Sequence, residues 1–89
     1  MIKTRRSAIV PNQKGLHARA AAQIVSLSNQ YSCEITVAHG DKSAPSLSLI
    51  KLLTLDAPQG SKLTVTSEGA ESALAVSSII QLILSGFGE

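Results

Sequence analysis

The spacing of hydrophobic and polar positions changes several times along the chain, and each change marks an element. Residues 2–10, IKTRRSAIV, carry β-branched side chains at Ile2, Thr4, Ile9 and Val10 and predict a strand at or near a sheet edge. Pro11-Asn12 stops it, and NQKGL is a loop. From His17 the spacing becomes helical, with Ala20, Ala21, Ile24, Val25 and Leu27 or Ser28 three or four residues apart and an end near Asn29. CEITVAH alternates again: Ile35 and Val37 face one way, Glu34, Thr36 and Ala38 the other, which predicts a half-buried strand. A tight turn at Gly40-Asp41-Lys42 leads into a short edge strand, SAP, ending at Pro45. SLSLIKLLTLDAP predicts a short helix, capped by Ser46 or Ser48 and terminated by Pro58 and Gly60. SKLTVTSEG alternates, with Leu63 and Val65 opposite Lys62, Thr64 and Thr66. After Glu68-Gly69 a last helix spans about residues 71–85. Its expected inward stripe is Ala73, Val76, Ile80 and Ile83, widened by Leu74, Ile79, Leu82 and Leu84.

The predicted order is strand, helix, strand, strand, helix, strand, helix. Each strand has one apolar side, so the helices must cover one face of an antiparallel sheet. The expected fold class is α+β: an open-faced two-layer sandwich in which three helices cover one face of a four-stranded antiparallel sheet (βαββαβα). With 89 residues the chain is read as a single domain, 1–89.

Composition narrows the function. Apolar residues make up 44% of the chain but aromatic ones only 2%, so Ala, Leu, Ile and Val must fill the core. Tyr31 and Phe87 alone could stack on bases. The net charge of +2 owes much to a short cluster, Lys3, Arg5 and Arg6. Together these argue against nucleic-acid binding. No apolar run reaches membrane-spanning length, and no apolar run precedes Pro11 as a signal peptide would need. These features predict a soluble, cytoplasmic protein acting as a monomer. Cys33 is the single cysteine, read as a half-buried small hydrophobe, and His17 and His39 have no cysteine motif nearby, so neither a disulfide nor a structural zinc site is expected. His39, before Gly40-Asp41, is read as an exposed loop residue.

The candidate chemistry lies in KGLHARAAAQIV, residues 14–25. His17 is placed at the start of a helix, where backbone N–H groups lack partners and the helix end carries about half a positive charge. Such a terminus accepts anions. A neutral imidazole there is a nucleophile toward phosphorus, and the amides of Ala18 and Arg19 can hold the phosphate that results. The Arg19 guanidinium adds a planar fork of donors. The alanines that follow leave a low rim for a protein partner. No phosphate-binding P-loop, paired carboxylates or Ser-His-Asp set is present. From the residues alone, His17 is more simply a surface helix cap and Arg19 a solvated charge.

GLHARAAAQIV resembles the phosphohistidine signature of the HPr family, Gly-Leu-His-x-Arg-Pro-Ala. These are phosphocarriers of the bacterial phosphoenolpyruvate-dependent phosphotransferase system. The resemblance continues through EITVAHGDKSA, SLIKLLTLDAPQGSKLTV and EGAESALA. It implies a non-enzymatic carrier without cofactor or metal. Enzyme I would phosphorylate His17 at Nδ1, a histidine of an enzyme IIA would receive the group, and Arg19 would neutralise the phosphate. It also implies a regulatory serine at Ser48, target of a serine kinase, although the surrounding signature is loose and Ser48 reads equally as a plain helix cap. Partner docking falls to Leu49, Ile50, basic Lys51 and the surface from Ala20 to Ile24.

Two departures stand out. Ala20 replaces the signature's proline, and Ser26 and Asn29 replace basic residues that sugar-branch members carry. The ending ALAVSSIIQLILSGFGE and the segment LLTLDAPQG look more like the nitrogen-branch members. The expectation is a nitrogen-regulatory phosphocarrier. The alternatives are a sugar-branch member, or an interaction module in which phosphorylation of His17 only switches partner binding.

Overall fold

A computed structural model describes residues 2–89. Strand β1 (Lys3–Ile9) is followed by helix α1 (Ala18–Ser28), strands β2 (Glu34–His39) and β3 (Lys42–Pro45), helix α2 (Leu49–Leu53), strand β4 (Lys62–Glu68) and helix α3 (Ser72–Leu84). A 3₁₀ turn over Gly86–Gly88 precedes the last residue. The sheet order is β1-β4-β2-β3, and every neighbouring pair is antiparallel. The expected α+β open-faced sandwich is the observed fold, and both strands expected at an edge lie there.

Alternation decides which sheet face is covered. Ala8, Ile35, Val37, Ala44, Leu63 and Val65 point inward and are buried. Helix α3 packs on β1, β4 and β2, while α1 packs between α3 and α2. The uncovered face holds polar residues; there Ser7 and Thr64, paired across β1 and β4, share a hydrogen bond of 2.9 Å. Cys33 is half-buried against the core, as its small apolar side chain suggested.

Three expectations need correction. Helix α2 does not run to Pro58. It stops at Leu53 with Thr54 as C-cap, whose hydroxyl donates to the Lys51 carbonyl at 2.6 Å. The chain then turns inward through Asp56 (φ +48°), which buries both Leu55 and Ala57. Burial of two apolar residues outweighs continuing a short helix whose outer face is solvated.

The inward stripe of α3 is also displaced from its expected phase. Ser72, Ala75, Val76, Ile79, Ile80 and Ile83 are buried, whereas Ala73, Leu74 and Leu84 face out. Ser72 sets that phase: fully buried, it meets the Thr4 hydroxyl of β1 at 3.0 Å. His39, finally, is not an exposed loop residue. It ends β2, half-buried, and its Nδ1–H donates to the Leu55 carbonyl at 2.8 Å, pinning the inward turn after α2.

Candidate functional site

The loop before α1 is shaped by a close backbone approach. Gly15 adopts φ +63°, and a Cβ placed on it would overlap the Ala57 carbonyl oxygen and lie 2.8 Å from Pro58 Cα. Only glycine fits that contact. The approach lets the Leu16 N–H donate to the Ala57 carbonyl at 2.8 Å, while the Leu16 side chain enters the core. A turn closed by the Gly15 N–H on the Asn12 carbonyl (3.1 Å) completes the loop.

His17 emerges from this loop as the N-cap of α1, with extended backbone (φ −85°, ψ 179°) and a side chain that makes no capping bond. The first helical hydrogen bond runs from the Ala21 N–H to the His17 carbonyl at 2.9 Å. The amides of Ala18, Arg19 and Ala20 precede that bond and have no intrahelical carbonyl. The imidazole is neither deep in the interior nor fully in solvent: 23% of the side chain is exposed. Ala18 and Arg19 are both exposed, and Arg19 makes no ion pair among the described residues. The structure therefore brings together a half-exposed ring, helix-terminal amides and the long cationic side chain of Arg19, the set that accommodates an anion.

A family match over nearly the whole chain decides the class. Residues 4–85 match the model of the family described as PTS HPr component phosphorylation site, PTS being the phosphotransferase system. The chain belongs to this HPr family. It is 34% identical over 89 residues to the phosphocarrier protein NPr of Shewanella violacea, covering 100% of this chain and 98% of that one. Over 69 residues it is 46% identical to the phosphocarrier protein HPr of Haemophilus influenzae, covering 78% of this chain and 81% of that one. The crystal structure of HPr-C-His from Thermoanaerobacter tengcongensis superposes with a TM-score of 0.90 at 30% identity, covering 97% of each chain. HPr-family proteins carry phosphoryl groups between components of the system and are not enzymes in their own right.

In this HPr-family chain the other expected site residues divide. Ser48 is the N-cap of α2, its hydroxyl accepting the Lys51 N–H at 3.3 Å. Leu49 (40% exposed) and Ile50 (73% exposed) stand out with Leu47 and Leu53 as an apolar patch, and Lys51 is exposed beside them. Helix α1, which His17 caps, packs on α2, the helix that carries this patch. Ala20 and Ile24, by contrast, are fully buried. They cannot form a docking surface; the helical period turns them into the core. Ala22 on the same helix is exposed instead, and Gln23 half-exposed.

Two residues next to the ring carry no signal in the sequence. The Glu89 carboxylate is hydrogen-bonded to His17 Nε2 through Oε2, across 72 residues of chain. Asn12, itself buried, donates from Nδ2 to Glu89 Oε1 (3.2 Å) and to the Gly15 carbonyl (2.9 Å). Partial desolvation pushes the Glu89 carboxyl up, but the hydrogen bonds from His17 and Asn12 and the charges of His17 and Lys14 outweigh it and hold it below the usual carboxylate range. A lone terminal Glu carries no pattern that could have pointed to this contact. Asn12, directly after a strand-ending proline, reads only as part of the stop. No helix among the described residues is long and apolar enough to cross a membrane, and none of them forms a cluster suited to a metal ion.

Proposed function

We propose that this HPr-family chain is a cytoplasmic phosphoryl carrier in which His17 accepts the group at Nδ1 from enzyme I and passes it to a histidine of an enzyme IIA. The observation that carries this is the half-exposed His17 ring at the N-terminus of α1, beside amides that have no intrahelical partner. Among the described residues Nε2 is engaged by Glu89 and Nδ1 has no partner, so Nδ1 is the nitrogen open to a donor. The Ala18 and Arg19 amides and the Arg19 guanidinium take the phosphoryl oxygens. Leu49, Ile50 and Lys51 meet partners, with no cofactor or metal required.

The nitrogen-regulatory branch is favoured by the ending of the chain and by the full-length likeness to a protein named NPr. Ser48 caps α2, a position where an added phosphate would gain the N-terminal amides and place negative charge beside the docking patch.

The test is to mix the protein with phosphoenolpyruvate and each branch's enzyme I and to follow an acid-labile mass gain of one phosphoryl group. Gain by wild type and none by His17→Ala is expected, with faster charging by the nitrogen-branch enzyme I. Equal labelling of wild type and His17→Ala would refute the role of His17.

A further inference from the structure

Lys3, Arg5 and Arg6 lie on β1, an edge strand of the sheet, and all three are exposed. None of them makes an ion pair among the described residues. Across the ladder Arg5 stands opposite Thr66 and Arg6 opposite Val65, so neither faces a carboxylate on β4; Lys3 faces Glu68. The backbone of this strand is used on one side. At the two ends of an unbroken register the Gly69 N–H donates to the Ile2 carbonyl at 2.9 Å and the Val10 N–H to the Ser61 carbonyl at 2.8 Å. In an antiparallel ladder the residues of that parity, here Thr4, Arg6 and Ala8, turn both backbone groups toward the partner strand. Lys3, Arg5, Ser7 and Ile9 therefore turn theirs to the open edge. Their side chains share the uncovered face, where Ser7 meets Thr64. The sheet's other edge is blunted, since β3 has 4 residues and ends at Pro45. Strand β1 has 7 residues, no proline and no bulge, and only charge guards it.

We propose that the open edge of β1 docks an acidic, extended segment of a partner protein, which adds to the sheet as an antiparallel fifth strand. The guard is selective by sign. Two copies of β1 paired antiparallel in full overlap would set Arg6 against Arg6, and like charges directly opposite are destabilising. A strand bearing carboxylates is attracted by the same three cations. Its acidic residues stand opposite Lys3 and Arg5 on the uncovered face. They are also the residues whose backbone groups bond to β1, because the two members of a hydrogen-bonded pair project to the same face. Ile9, 53% exposed at the end of the strand, offers an apolar contact beyond the cations. Strands β4 and β2 separate this edge from β3, on which α2 packs, so the added strand leaves the α2 patch open.

The experiment titrates the full chain with a synthetic peptide of alternating Glu and Thr, as long as β1, and follows the backbone amides by NMR. Binding should saturate, with a midpoint at or below about 1 mM, and weaken as salt rises from about 0.05 to 0.5 M. The N–H groups of Lys3, Arg5, Ser7 and Ile9 should shift and exchange more slowly with solvent. Those of Thr4, Arg6 and Ala8, already bonded to β4, should keep their exchange rates. Two modified peptides test the pairing without altering the protein. N-methylation of the Glu residues should abolish binding, whereas N-methylation of the Thr residues should leave it. Changing Arg5→Glu and Arg6→Glu together should weaken binding about tenfold or more, with a thermal melt to confirm folding. Equal binding of the two methylated peptides, shifts confined to α2 and the start of α1, or no shift on β1 at several-fold higher peptide would each overturn the proposal. So would a single-stranded oligonucleotide that moves the same amides at lower concentration than the peptide, or dimers formed through β1 without peptide.

Discussion

Replacing Gly15 by alanine tests whether the site is built by backbone approach. Gly15 sits at φ +63°, where an L side chain costs about 1–2 kcal/mol. The new Cβ would overlap the Ala57 carbonyl and press on Pro58 Cα at 2.8 Å, both backbone atoms that cannot rotate away. Relieving that overlap adds about 1–3 kcal/mol. The Leu16–Ala57 hydrogen bond of 2.8 Å lies directly in the path of the relaxation. The expected loss is therefore about 2–5 kcal/mol, or at least roughly 8 °C in melting temperature for a domain of this size. Gly40 supplies the control. It has nearly the same backbone (φ +62°) but nothing within 4 Å of a built Cβ, so Gly40→Ala should cost only the conformational part. Urea unfolding of the two variants isolates the steric part by subtraction. The phosphorylation rate of folded Gly15→Ala should also fall by about tenfold or more, because the loop delivers His17 and a misplacement of about 1 Å can cost about a hundredfold. If Gly15→Ala is no less stable than Gly40→Ala and charges normally, the close approach does not position the ring.

Two further outcomes follow from the surface. Ile50→Asp alters a side chain that is 73% exposed, so stability should change by less than about 0.5 kcal/mol, while the apparent KM for partner proteins rises about tenfold or more in steady-state transfer assays. Glu71 accepts the Ser32 N–H (3.0 Å) and the Ser32 hydroxyl (2.9 Å), bonds that hold its carboxyl below the usual range despite slight desolvation. Because the folded value is lowered, this contact stabilises the protein above the ordinary value of 4.5 and stops doing so as pH falls through the folded value. The urea midpoint of wild type should exceed that of Glu71→Ala at about pH 6 and converge with it on acidification.

The strands and the start of α1 were legible because they depend on local signals. Period-two alternation at Ile35–Val37 and Leu63–Val65 and the change of spacing at His17 are readable within a few residues. What failed depends on distant partners. The phase of α3 was ambiguous because Ala73 to Leu84 is apolar on more than one side; the Thr4–Ser72 contact, across 68 residues, settles it. The end of α2 depends on whether the core wants Leu55 and Ala57, and the role of His39 depends on where Leu55 then goes. Ala20 and Ile24 share with Ala21 and Ser28 the spacing of a buried stripe, which rules them out of a docking surface. At the site itself, His17 and Arg19 were visible as a motif. Asn12 and Glu89 were not, since only the folded chain brings residue 89 to residue 17.

A carrier has to give up what it accepts, and this limits how its site can be built. Every added contact to the phosphoryl group would deepen the well from which the next partner must draw it. In the proposed site, a half-exposed ring, a few helix-terminal amides and one guanidinium would supply modest binding and leave phosphorus open to attack from outside. Exclusion of water, which enzymes obtain by closing over substrate, must then come from the partner seated on the surface. The apolar patch of Leu47, Leu49, Ile50 and Leu53 suits that role, because it can be dehydrated at little cost and lies in and beside the helix packed on α1. On the proposed reading, docking and chemistry fall to different elements, α2 and the start of α1, joined through the packing of one helix on the other. Substitutions in the patch should accordingly change partner affinity with little effect on the single-turnover rate at saturating partner. Substitutions around His17 should do the reverse. A patch variant that slows single turnover even at saturation would show that the two functions are not separable.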